Sequence, residues 1–170
     1  MHTWAEPDQP LRLVEQTVAK DDPDPKALAC YGLLRPDRKQ VWLRFVAERP
    51  ISSVTTQFLA WCCERLEREG KTALLLVWDN APWHISKEVR RWVRAHNREV
   101  KRVGHGIRLV LAYLPTKSPW LNNIEPCWVH AKRAIVEPDR LLAAHEVVQR
   151  VCDHFQSALE PYLAIPEKVA

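Results

Sequence analysis

No window of this 170-residue sequence approaches about 18 consecutive apolar residues, which excludes a membrane-spanning helix. The first residues, Met-His-Thr-Trp-Ala-Glu-Pro, have neither a basic stretch nor an apolar one, so no secretory signal is expected. Cysteine is sparse: five residues (30, 62, 63, 127, 152), an odd number, with no C-x-x-C spacing. That argues against a cysteine metal site and a disulfide framework. The vicinal Cys62 and Cys63 fall in a helical pattern and read as packing. Together these absences lead us to expect a reducing, cytoplasmic compartment. Internal repeats and low-complexity linkers are also missing.

What is present fits one compact domain. The sequence is 46% hydrophobic and 27% charged, in the range of ordinary globular proteins. Its net charge of +4 is unevenly spread. Between His84 and Arg108 lie eight Lys/Arg against only Glu88 and Glu99, a local excess larger than that of the whole chain. Such a concentration suits a polyanion, although a solvated basic helix face gives the same pattern.

Residues 1–26 are rich in Pro and Asp and read as loop apart from the short alternation Leu11–Val14. Runs 27–34 and 40–47 flank Arg-Pro-Asp-Arg-Lys and read as a hairpin. Pro50 with Ser52 and Ser53 opens a helix whose apolar positions Val54, Phe58, Trp61, Cys62 and Leu66 recur at helical spacing, and Gly70 ends it. The run 72–78 is continuously apolar, the pattern of a strand buried on both faces. Ser86 caps a helix to about Val100, with Val89, Trp92, Val93 and His96 facing inward. A second apolar strand follows at 107–114. Strand, helix, strand predicts a parallel pair joined by a right-handed crossover. A helix follows from Asn123, broken at Pro138-Asp139, and a last helix spans about 141–158. The expected division is an N-terminal segment 1–26, a core 27–140 and a C-terminal helix and tail 141–170, with a mixed sheet in the core.

Chemistry concentrates in two places. Asp79 ends the apolar run, at the carboxyl end of a strand in a strand-helix-strand unit, where open α/β sheets place ligands. It either points into that crevice or caps the following turn. Glu125 falls in the first turn of a helix, where Pro126 is tolerated; alone it would only complement the helix dipole. The chain returns from the second parallel strand through Pro115-Thr-Lys-Ser-Pro, which brings Glu125 toward the edge that holds Asp79. Two hard oxygen ligands beside a basic helix suit Mg²⁺ or Mn²⁺ on a phosphate. His84, Lys87, Arg90, Arg91, Arg94, Lys117, Lys132 and Arg133 are candidate nucleic-acid contacts, each equally readable as a structural or surface residue. Trp83, Trp120 and Trp128 could stack on bases or fill the core.

At these residues the chain resembles the DDE superfamily of transposases, in its bacterial insertion-sequence branch related to mariner elements. The family pattern is an apolar strand ending in Asp-Asn-x-x-x-His, then Leu-Pro-x-x-Ser-Pro-x-Leu-Asn-Pro-Ile-Glu-x-x-Trp. Here the two stretches are Asp79-Asn80-Ala81-Pro82-Trp83-His84 and Leu114-Pro115-Thr116-Lys117-Ser118-Pro119-Trp120-Leu121-Asn122-Asn123-Ile124-Glu125-Pro126-Cys127-Trp128. The likeness extends over roughly residues 4–140. It implies an RNase H-like fold, strand cleavage and transfer on transposon DNA ends, and two Mg²⁺ or Mn²⁺ ions held by Asp, Asp and Glu. Asp79 matches the second Asp and Glu125 the Glu. The chain departs from the family in Asn123, which replaces a proline, and in a longer spacing between the two carboxylates. The family's first Asp lies on a central strand ahead of a loop resembling Trp4-Ala5-Glu6-Pro7, and no aspartate here follows such a strand. The resemblance therefore implies a catalytic domain without its N-terminal part, inactive as it stands. A separately encoded N-terminal part and a homo-oligomer are possible partners besides DNA; the alternative is a non-catalytic remnant that binds DNA weakly.

Overall fold

The computed structural model describes residues 28–47, 49–137, 140 and 142–165. The Pro/Asp-rich segment 1–26 and the Pro138-Asp139 break lie outside them. Among the described residues the order is β1 (Ala29–Arg35), β2 (Gln40–Val46), α1 (Ser52–Arg68), β3 (Ala73–Trp78), α2 (Lys87–Val103), β4 (Arg108–Tyr113), a 3₁₀ turn (Pro119–Leu121), α3 (Glu125–Ile135) and α4 (Ala144–Phe155).

The hairpin and the crossover form as expected. β1 pairs antiparallel with β2, from Ala29 opposite Val46 to Arg35 opposite Gln40. β3 pairs parallel with β4, from Ala73 opposite Arg108 to Trp78 opposite Tyr113. In place of one mixed sheet there are two sheets of two strands each. No ladder joins β1 to β3 among the described residues. Their relative direction follows from two contacts. Arg35, ending β1, reaches Glu69 just ahead of β3, with Nη1–Oε1 at 2.7 Å and Nη2–Oε2 at 2.8 Å. Tyr31, near the start of β1, lies 6.0 Å from the His84 ring just beyond β3. β1 and β3 therefore run antiparallel.

One core lies between the sheets and α1 and α2. It gathers Tyr31 and Leu33 from β1, Trp42 and Val46 from β2, Leu76 and Trp78 from β3, and Val54, Phe58, Leu59 and Leu66 from α1. Val89 and Val93 of α2 and Leu109 of β4 join it. A second core lies on the other face of the hairpin, where Val41, Leu43 and Phe45 meet Ile135 of α3 and Val148, Val151 and Cys152 of α4. The alternation along β2 thus divides its side chains between two apolar layers.

β3 corrects the expectation of burial on both faces. Leu76 and Trp78 are buried, but Leu75 and Val77 are 66% and 51% exposed. The reason is that α3 and α4 cover the hairpin rather than the parallel pair. The helix boundaries differ in smaller ways. α1 begins after Ile51 without a side-chain cap and closes at Gly70, whose φ of 70° favours glycine. Ser86 does cap α2, its Oγ accepting from the Val89 N–H at 3.2 Å, and the helix runs to Val103 before left-handed Gly104. Asn97 of α2 bridges the N–H and C=O of Leu109, both at 2.8 Å, fixing the helix along the outer edge of β4.

Cys62 and Cys63 are buried, and burial pushes the Cys63 thiol up to about 12, so both stay protonated packing groups. The Arg35–Glu69 pair is more consequential, because it ties the end of β1 to the turn before β3. The hydrogen bonds from Arg35 hold the Glu69 carboxyl below its ordinary 4.5. A carboxyl depressed by folding adds stability above its unfolded value and loses it as pH falls through the folded one. Glu69→Gln should therefore flatten the acid limb of the stability curve below about pH 4.5. Urea midpoints between pH 6 and 3 check this, and parallel curves for variant and parent would contradict it.

Candidate active site beside the end of the parallel pair

Asp79 follows the last residue of β3, where the strand stops and the chain turns back through Pro82–His84. Its Oδ1 accepts from the Ala81 N–H at 2.9 Å and lies 2.7 Å from His84 Nδ1. The carboxylate thus caps its own turn and still lines the cavity beyond it. Both expected roles coexist. A carboxylate only accepts, so Nδ1 of His84 carries the proton in this bond.

His84 stacks on Trp78 with ring centroids 4.7 Å apart and planes 10° apart, and Tyr31 and Trp83 approach it from other sides. Burial lowers its pKa, outweighing the raising effect of Asp79. The contact is short enough for an ion pair. Because burial dominates, we read it as neutral imidazole donating to a carboxylate. Its side chain is 16% exposed and one nitrogen faces Asp79, a position that orients the carboxylate.

Asn80, beside the motif's aspartate, was given no role by its spacing. Its Nδ2 donates to the Leu114 carbonyl at 2.6 Å, holding the ends of β3 and β4 together. The signal was present: an asparagine directly after a strand end is a side chain that bonds local backbone.

Glu125 is the first residue of α3 and sits in the turn where Pro126 is tolerated. The expected cap at Asn123 is absent; Ile124 holds that position without a side-chain bond. The 3₁₀ turn takes over the task, since the Asn122 carbonyl accepts the Glu125 N–H at 2.9 Å. Asn122 Nδ2 also lies 3.4 Å from Glu125 Oε1. Asp79 and Glu125 line the same cavity of about 620 Å³, together with residues of β1, β3 and α3.

The basic candidates lie outside that cavity. Lys87, Arg90, Arg91 and Arg94 are exposed along α2, and Lys132 and Arg133 are exposed on α3. Arg90 sits 5.8 Å over the Tyr113 ring, and Arg90 and Arg94 flank a shallow hollow with Tyr113. Lys117 is exposed in the turn after β4, with φ of 59°. Among the tryptophans, Trp42 and Trp78 are buried, Trp83 and Trp128 pack partly against the cores, and Trp120 is 75% exposed.

The donor chemistry can be tested against a metal. Two carboxylate oxygens facing one cavity fit a single hard cation that shares its shell with water and phosphate. A two-ion centre needs a bridging carboxylate and others besides. Among the described residues no group of three or more His, Cys, Asp or Glu is placed to hold an ion. The described donors therefore fit one divalent ion and fall short of two.

A mixed α/β domain with a strand-end carboxylate beside a helical one defines a class: a domain built for chemistry at a sheet edge. Comparison with known families identifies which. A family model described as DDE superfamily endonuclease matches residues 1–146, so the chain belongs to the DDE superfamily endonucleases. Its short sheets and flanking helices agree with an RNase H-like DDE domain. No curated protein and no solved structure matches it. Membership implies a DNA substrate and divalent-metal chemistry. No helix among the described residues is long and apolar enough to cross a membrane.

Proposed function

We propose that this chain is the core of a transposase of the insertion-sequence branch related to mariner elements, acting on transposon DNA ends. Asp79 and Glu125 are the carboxylates that hold a divalent cation, Mg²⁺ or Mn²⁺. The observation that carries this reading is that both motif carboxylates line one cavity, on rigid elements that approach it from opposite sides. When bound, the metal would polarise a backbone phosphate and activate the attacking oxygen. The chain's own contribution is positional. His84 and the Ala81 N–H fix one oxygen of Asp79, leaving the other for the ion, and Asn122 steadies Glu125. Lys87, Arg90, Arg91, Arg94, Lys117, Lys132 and Arg133 would contact phosphates, a role that positions DNA without reading its sequence.

With two carboxylates in the described cavity, the 170 residues alone should bind metal but not cut. Mn²⁺ titration followed by electron paramagnetic resonance, with a short DNA duplex present, is the test. Asp79→Asn and Glu125→Gln should each weaken binding about tenfold or more. Unchanged affinity in either variant would remove that residue from the site. In the same preparations, Mg²⁺-dependent nicking should not exceed the Asp79→Asn background. Nicking that requires both Asp79 and Glu125 would reveal a third ligand. A matched salt series should show Arg90→Ala/Arg94→Ala binding duplex with a log–log slope shallower by about two. An unchanged slope would take those two arginines off the DNA.

A further inference from the structure

The cavity has a shape that the two carboxylates do not explain. It runs the length of both inner strands, from Ala29 to Arg35 on β1 and from Ala73 to Trp78 on β3. Phe58 and Leu66 of α1 form its floor, and Ile124 and Trp128 of α3 line it from the opposite side. Its two long walls are therefore the edges of two sheets, and no described strand pairs with either edge on that side.

Backbone edges facing each other inside a core are costly, because N–H and C=O groups there need partners. Two-stranded sheets are also marginal by themselves. A side chain on the same wall is short of a partner too. Trp78 lines the cavity and is only 7% exposed, yet its Nε1–H has no acceptor among the described residues. Leu75 and Val77 add uncovered apolar surface on the side toward α3.

We infer that this cavity is a strand acceptor, and that its occupant is an apolar β-strand of six or seven residues from a separate polypeptide. The inserted strand pairs with β1 and β3 at once and joins the two sheets into one. Because β1 and β3 are antiparallel, it lies antiparallel to one and parallel to the other. Apolar residues line the slot above and below, so the strand must be apolar on both faces. The chain's own segments outside the description do not meet that need. Residues 1–27 and 166–170 contain no more than two consecutive apolar residues, and Arg12 and Glu15 interrupt the Leu11–Val14 stretch on either face. A second copy fits poorly, since each of its strands is already held in a pair. Strand addition to an open edge is a known mode of recognition, with main-chain bonds supplying affinity.

This inference does not depend on Asp79 or Glu125 binding metal, so it can fail while that reading stands. The probe is a synthetic peptide of seven alternating valines and isoleucines between pairs of lysines. The control peptide has lysine at every second position. Amide hydrogen exchange is followed on the full 170-residue chain. The probe should slow exchange about tenfold in both 29–35 and 73–78, and the control should not. Slowing in only one of these strands, in neither, or only at the outer edge of β4 would overturn the inference. Leu75→Lys is the companion variant: Leu75 is already 66% exposed, so the fold tolerates the change. It should abolish the probe's effect, and undiminished protection in that variant would also overturn the inference.

Discussion

Replacing Gly32 by valine should destabilise the domain by about 1–3 kcal/mol through overpacking and should dislodge the helix that carries Glu125. Gly32 sits in the middle of β1 on the face turned toward α3. A Cβ built there would lie 2.5 Å from Trp128 Cζ2 and 2.9 Å from Ile124 Cδ1. Ordinary contact begins near 3.4 Å, so the indole or the helix must move. The indole has little freedom, because Trp128 packs edge-on against Phe155 of α4 at 5.4 Å. Moving it disturbs the second core. Ile124 immediately precedes Glu125, and Trp128 follows it by one helical turn, so displacement passes directly to the carboxylate. The glycine is thus required for space, since its φ is not positive. Gly32→Ala should show the same sign with a smaller size. Denaturant unfolding and exchange in 125–135 measure the effect. Gly32→Val with parental stability, or with α3 undisturbed, would show that the close approach is not what holds the helix.

That contact illustrates what was legible in the sequence and what was not. Local elements could be read because their causes are local. Ser86 caps α2 and Gly104 ends it, and the apolar runs before Asp79 and before Pro115 became a parallel pair. The position of Asp79 was likewise readable from the abrupt change of Trp78-Asp79-Asn80-Ala81-Pro82. The failures all concern distant partners. A continuous apolar run could not disclose that Leu75 and Val77 face open space, because that depends on where α3 comes to rest. The glycine at 32 read only as part of a strand, since the tryptophan it accommodates lies 96 residues further on. His84 was ambiguous between phosphate contact and structural support until its ring was seen stacked on Trp78 with Nδ1 on Asp79. Asn123 seemed a good cap, yet a 3₁₀ turn two residues earlier supplied the carbonyl. Spacing brought the two carboxylates to one cavity but said nothing of its length along two strand edges.

The larger effect should come from Phe58→Ala, at about 3–5 kcal/mol, enough to threaten folding in a domain of ordinary stability. Phe58 is 5% exposed. It stacks on Tyr31 of β1 at 5.1 Å and on Trp61 at 5.8 Å, and it lines the cavity between the sheets. Without a ladder between β1 and β3, α1 carries much of the coupling between the two pairs through this side chain and its neighbours. Truncation enlarges a cavity that is already open, so little collapse can offset the loss. The hairpin with α3 and α4 also has its own apolar layer, which does not include Phe58. The variant should therefore lose cooperativity as well as stability. Hydrogen exchange in 73–78 and 108–113 should accelerate more than exchange in 29–35 and 40–46. Phe58→Leu, which keeps most of the volume, should recover the larger share of both. Uniform acceleration across all four strands would mean that the two sheets unfold as one unit. A loss below about 1 kcal/mol would mean that Phe58 does not couple them.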